Sequence, residues 1–237
     1  MLPPVASKRR QFTLRGWLLR ALLARRGASV VHMIGPQARR DLAIVRETRK
    51  RAALLVQDVA AYEILACVRA ASRLDGTMAE AGVFAGGTAR LICEAKGNRP
   101  LRLFDVLETL QGPPDASPET HRTAEVRRRF GTWHATRADV ARLLAAYPAV
   151  HIHGGVFPDT VTGLGDERFS FVHIDLDLEQ GTRDALEFFY PRLVAGGVLI
   201  GDDYNDHPVR RAFDGYFSNR DVTVIALPWG QAIVVKA

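Results

Sequence analysis

Acidic residues close two short apolar segments of the chain, and their spacing poses the first chemical question. FVHIDLDLEQ, residues 171–180, alternates Val172, Ile174, Leu176 and Leu178 with His173, Asp175, Asp177 and Glu179. That is the period of a strand with one apolar and one charged face. Further on, VLIGDDYN ends a second apolar run with Asp202 and Asp203. Strands of a parallel sheet are covered by helices on both faces, so acids there belong at the mouth, beyond the strand ends. Carboxylates crowded within a few ångströms repel one another unless a cation joins them, and an all-oxygen donor set suits Mg²⁺, Ca²⁺ or Mn²⁺. Asp202 or Asp203 could instead cap the next helix. The convergence of three carboxylates favours the metal.

A second group precedes these acids. EAGVFAGGT carries Glu80, Gly82, Phe84, Gly86 and Gly87 ahead of a helix starting near Thr88. Glycines let a backbone turn tightly against a ligand, and a helix N-terminus offers free N–H groups to an anion. The segment does not spell G-x-G-x-x-G, and a close-packed turn with no ligand would read the same way. LRLFDV then ends in Asp105, 25 residues after Glu80, where nucleotide-binding sheets place an acid on the ribose hydroxyls. A loop anchor is the plainer alternative. Taken together, turn and acid point to an adenosine-containing ligand, and NAD and S-adenosylmethionine both answer that description.

The elements that must position these groups alternate in kind. Residues 41–71 are rich in Ala and Leu at helical spacing and predict helices at a domain edge. Beyond Asp75-Gly76, short apolar runs ending in Gly or Asp alternate with helical stretches: TMAEAGV, TARLICEAK, LRLFDV, RADVARLLAAY, AVHIHGGVF, the 171–180 segment, TRDALEFFYPRLV, GGVLIGDDY and HPVRRAFDGYF. VTVIALP and QAIVVK close the chain around Trp229-Gly230, a hairpin signal. This pattern predicts an α/β fold: a doubly wound, Rossmann-like parallel sheet with an antiparallel strand from a C-terminal hairpin. Residues 107–133, with Pro113, Pro114 and Pro118, predict a long loop and a short arginine-rich helix, the kind of excursion that borders substrate.

Charge is unevenly placed. Of the 32 Lys and Arg, 13 fall in residues 1–51 beside only two acids, which leaves the remainder mildly acidic. We therefore expect a basic, helical N-terminal extension over 1–50 and one catalytic domain over 51–237. No zinc-finger, RNP or basic-zipper pattern accompanies the arm, so specific nucleic-acid readout is not expected. Arg9-Arg10 followed by Phe12 has the look of an export signal, but Arg20 interrupts the apolar run. Around Trp17, Leu18, Leu22 and Leu23 the apolar and basic residues interleave, which disfavours a membrane-surface helix relative to docking on the arm's own domain or on a second copy of the chain. Cys67 and Cys93 lack partner spacing and read as small buried hydrophobes in a cytoplasmic protein.

EAGVFAGGTA, GGVFPDT, HIDLDLEQGTRDAL, YPRLVAGGVLIGDDYN and RRAFDGYF together resemble the macrocin O-methyltransferase family, metal-dependent sugar O-methyltransferases, over roughly residues 55–237. The resemblance implies the class I methyltransferase fold and S-adenosylmethionine as cofactor. It further implies Asp175, Asp202 and Asp203 as Mg²⁺ ligands and Asp177 as general base. Asp175 would also border the cofactor, and the acceptor would be a small molecule or glycoside hydroxyl. His207 and His173 are alternative bases, with His173 deeper in its strand. The family's usual Tyr and Ser are replaced here by Glu179 and Gly181, and its DSFEGLP by DVLETLQGPP. An NAD(P) oxidoreductase would need a partner such as YxxxK, which the chain does not contain. A non-catalytic binding protein on the same fold would have no use for the acidic set.

Overall fold

The alternating runs fold into one seven-stranded sheet in a computed structural model, which describes residues 35–110 and 135–237 together with 22–23, 124–125 and 128. The chain divides into two compact units, 1–40 and 41–237, and the sheet belongs to the second. The expected arm helix around Trp17 and Leu18 and most of the 107–133 excursion lie outside the described residues. In chain order the elements are α1 (Pro36–Arg51), α2 (Asp58–Ala71), β1 (Thr77–Ala81), α3 (Gly87–Ala95), β2 (Leu101–Asp105), α4 (Arg137–Leu144) and β3 (Val150–Gly154). There follow β4 (Phe169–Ile174), α5 (Glu179–Arg192), β5 (Leu193–Gly201), α6 (His207–Phe217), β6 (Val224–Ala226) and β7 (Ala232–Val235).

The sheet order is β3-β2-β1-β4-β5-β7-β6. Strands β1 to β5 run parallel, and β7 is antiparallel to both β5 and β6. The order reverses between β1 and β4, and in such sheets a ligand crevice opens at that point, past the strands' carboxyl ends. Alternation along the strands sorts side chains into two cores. Met78, Phe171, Val198, Ile200 and Ile233 pack with residues of α1 to α4 on one face. Ala79, Val172, Ile174, Leu199 and Val234 pack with α5 and α6 on the other. The inner strands β1 and β4 are buried along their whole length, as the apolar runs predict, whereas the edge strands β3 and β6 are partly exposed.

One expectation is corrected here. The 171–180 alternation does not continue as strand to Glu179: β4 stops at Ile174, and Asp175 to Leu178 form a turn into α5. Asp177 lies in the left-handed region at φ +57°, a conformation that Asp tolerates better than most residues and that no strand contains. The helix then begins three residues before the expected Thr182. Both cysteines are free, and burial pushes each thiol up to about 12. No helix among the described residues is long and apolar enough to cross a membrane.

Candidate functional site

The crevice at the sheet's switch point is a cavity of about 310 Å³. Gly82, Phe84, Gly87, Thr88 and Asp105 line it from the β1 and β2 ends, and Asp175, Asp177, Asp202 and Asp203 from the β4 and β5 ends. The strand ends are held in register past the ladder proper, with Gly82 N–H donating to Phe104 O, Asp175 N–H to Ala81 O and Asp202 N–H to Ile174 O at 2.8, 2.8 and 2.9 Å.

The glycine turn is shaped by sterics. Gly82 sits at φ +90°, and a Cβ there would lie 1.7 Å from Asp175 O. Only glycine lets β1 pass so close to the chain leaving β4. Gly86, at φ +81°, is the residue from which α3 starts. Asp105 fastens the turn: one carboxylate oxygen accepts the N–H groups of Val83 and Phe84 at 2.6 and 2.8 Å, and the other accepts Leu107 N–H at 2.8 Å. The acid expected to face ribose therefore acts in this structure as the anchor of the turn beside which a nucleoside would lie. Glu80 and Gly86 do not line the cavity. Glu80 is fully buried beneath it, its Oε1 3.2 Å from His173 Nδ1.

The acids crowd. Carboxylate oxygens of Asp175, Asp177 and Asp203 all lie within 4.8 Å of one another. Burial, then the charge of Asp202, holds the Asp175 carboxyl well above the usual range. Burial also raises Asp202, against the opposing influence of His173 and the buried Gln231 amide. Asp203 is pushed up to about 6 by burial and by a hydrogen bond shared with Asp177. Beneath them, burial alone would lower His173, but the bond to Glu80 and the charges of Glu80, Asp202 and Asp175 push it up to about 9. His173, paired with Glu80, thus lies embedded below a group of carboxylates that repel one another.

Such a donor set fits a hard divalent cation. Three carboxylate oxygens gathered within 4.8 Å of one another offer the all-oxygen set that such an ion takes. The tightest trio includes Asp177, expected as base, and leaves Asp202, expected as ligand, beside it. His207 is exposed at the start of α6 and does not line the cavity. The two departures from the family pattern separate: Glu179 bonds Arg211 at 2.8 Å and pairs with Arg183 at 3.5 Å across the α5 and α6 surface, whereas Gly181 lines the cavity. Residues that the sequence did not mark as part of a site also form walls: Ala53, Leu55, Val56, Gln57, Phe157, Leu178, Gln180 and Trp229. Phe157 stands within the quoted GGVFPDT segment, but nothing local marked the residues at 53–57.

The family model described as Macrocin-O-methyltransferase (TylF) matches residues 59–227. The chain is 30% identical over 156 residues to 8-demethyl-8-(2,3-dimethoxy-alpha-L-rhamnosyl)-tetracenomycin-C 4'-O-methyltransferase of Streptomyces olivaceus, covering 62% of this chain and 59% of that protein. It is 28% identical over 162 residues to demethyldecarbamoylnovobiocin O-methyltransferase of Streptomyces niveus, covering 64% and 62%. The match thus spans about three fifths of the length of these relatives. Among solved structures, the O-methyltransferase NovP superposes with a TM-score of 0.61 at 25% identity, over 75% of this chain and 79% of that one. An O-methyltransferase from Bacillus cereus in complex with SAH shares the fold with a TM-score of 0.53 at 15% identity, over 94% and 100%.

Proposed function

The chain belongs to the macrocin O-methyltransferase family, and from that premise we propose that it transfers a methyl group from S-adenosylmethionine to a hydroxyl of a sugar-bearing small molecule, with Mg²⁺ as a second cofactor. The observation that carries this reading is the opening of an adenosine-type glycine turn and four converging carboxylates into one cavity.

Bound S-adenosylmethionine supplies a methyl group made electrophilic by its sulfonium. Gly82, Gly87 and Thr88 border its place, and the missing side chains of the two glycines let the turn pack directly against the chain at Asp175 and at Ala53. Asp105 holds the turn rigid, and the one acceptor site its three N–H partners leave open, on the oxygen bonded to Leu107 N–H, is available to a ribose hydroxyl. Asp175, Asp202 and Asp203 would hold Mg²⁺, which supplies Lewis acidity that lowers the pKa of an acceptor hydroxyl. Asp177 receives the hydroxyl proton on a carboxylate oxygen as the acceptor oxygen forms its bond to the methyl carbon and the carbon–sulfur bond breaks. His173, whose pKa the carboxylates around it push up, is placed to offset part of their negative charge, and Phe157, Leu178 and Trp229 limit water around the reacting centre.

The acceptor class is extended from the two Streptomyces relatives, whose names specify a rhamnosyl tetracenomycin and a novobiocin precursor. Calorimetric titration with S-adenosylhomocysteine and, separately, NAD tests the cofactor half of the proposal. We expect S-adenosylhomocysteine to bind and NAD not to. Binding of NAD alone would return the cavity to a dehydrogenase reading.

A further inference from the structure

The hairpin that closes the sheet reaches the acidic group from beyond residue 227, where the family match stops. Strand β7 pairs antiparallel with β5, Ile200 opposite Ile233 and Gly201 opposite Ala232. One further step sets Gln231 opposite Asp202. On the other side of β5, Ile174 pairs with Gly201, and Asp202 N–H donates to Ile174 O at 2.9 Å. Asp175, Asp202 and Gln231 therefore form one row across three neighbouring strand ends. Backbone bonds keep the row in place: Leu227 N–H donates to Gln231 O at 2.7 Å, and Tyr204 N–H to Gly230 O at 2.6 Å, which docks the hairpin on the chain just past Asp203.

Gln231 is fully buried and does not line the cavity. A buried amide without partners is costly, so a glutamine here answers to something other than the apolar core. Its amide faces the Asp202 carboxyl and favours the ionised form against the burial that raises it. Neither amide atom has another hydrogen-bond partner among the described residues. An ionised carboxylate only accepts, so the NH₂ is the end turned to Asp202. That bond takes one side of the carboxylate and leaves its other lone pairs for the cavity, which Asp202 lines. Groups that orient a metal's ligands in this way set its affinity without touching it.

We propose that Gln231 is a positioning residue of the metal site, orienting Asp202 so that its carboxylate meets Mg²⁺. The proposal rests on the reading of Asp202 as a magnesium ligand. Because Gln231 does not line the cavity, it reaches the chemistry only through Asp202.

The test is calorimetric titration of Mg²⁺ into wild type, Gln231→Met, Asp202→Asn and the double variant, with S-adenosylhomocysteine affinity and melting temperatures measured alongside. Gln231→Met keeps the length of the side chain and removes the amide. It should weaken magnesium binding roughly tenfold. In the double variant it should add almost nothing to the loss already caused by Asp202→Asn, as expected of residues that act as a unit. Gln231→Asn, whose amide stops one methylene short, should match Gln231→Met, and it decides alone should Gln231→Met fail to fold. Wild-type magnesium affinity in the folded Gln231 variants, with or without a lowered melting temperature, would make the glutamine merely structural and overturn the proposal. A loss that adds in full to that of Asp202→Asn would overturn it as well, and either result leaves the metal site standing. Undiminished magnesium affinity in Asp202→Asn, or none in wild type, would overturn the ligand reading and the positioning role with it. S-adenosylhomocysteine binding, expected in all these proteins, tests the methyltransferase reading separately.

Discussion

Asp203 shares a hydrogen bond with Asp177 and, chiefly through burial, has its carboxyl raised from 3.8 to about 6. The native state therefore holds this proton more tightly than the unfolded chain does. Its contribution to stability is complete below about pH 4 and is lost as the pH rises through about 6. In the presence of a chelator, the melting temperature of wild type relative to Asp203→Asn should fall across that window by scanning calorimetry. Mg²⁺ should reverse the loss above pH 6 in wild type and not in the variant. A difference that ignores pH would mean that the Asp203 carboxyl does not carry this proton. Asp105 presents a residue whose type was legible and whose contacts were not. A strand-end acid suggested ribose, but the three N–H groups that already engage it belong to backbone, which carries no sequence signal. Asp105→Ala should weaken S-adenosylhomocysteine binding by roughly 1 to 3 kcal/mol. The binding isotherm should be accompanied by a lowered melting temperature, because the glycine turn loses its anchor.

At the scale of elements, the glycine turn was readable because glycine is required where β1 passes the chain leaving β4. Gly82→Ala would drive a methyl group into Asp175 O, 1.7 Å from the built Cβ, at φ +90°. It should cost roughly 3 kcal/mol or more in stability, measured by denaturant unfolding. Wild-type stability in that variant would show that the turn can shift. The end of β4 was misread for a physical reason. Leu176 and Leu178 keep the strand's period while the backbone has already left it, and alternation of side chains alone does not report a left-handed residue at Asp177. The cavity wall at 53–57 was illegible for the opposite reason. It alternates over only five residues inside an Ala- and Leu-rich helical stretch, and Arg49, which organises it from α1, is bonded to carbonyls that carry no sequence identity.

For the molecule as a whole, the parallel sheet and its terminal hairpin were legible because buried strands and amphipathic helices follow different periods. Which acids meet was not, because that depends on the register of β4 against β5 and on two turns at positive φ. All residues assigned to the cavity fall within the unit 41–237. Deleting residues 1–40 should therefore leave S-adenosylhomocysteine affinity nearly unchanged in a folded protein, and a large loss would assign the arm to the site. The central claim is a division of labour among four converging carboxylates, with Asp175, Asp202 and Asp203 holding Mg²⁺ and Asp177 taking the proton. Calorimetric titration of Mg²⁺ into Asp177→Asn and Asp202→Asn, beside wild type, tests it most directly. The account predicts that Asp202→Asn loses on the order of tenfold or more in magnesium affinity while Asp177→Asn binds nearly as wild type does. Loss of magnesium binding in Asp177→Asn, with Asp202→Asn unaffected, would contradict it and assign the metal to Asp175, Asp177 and Asp203.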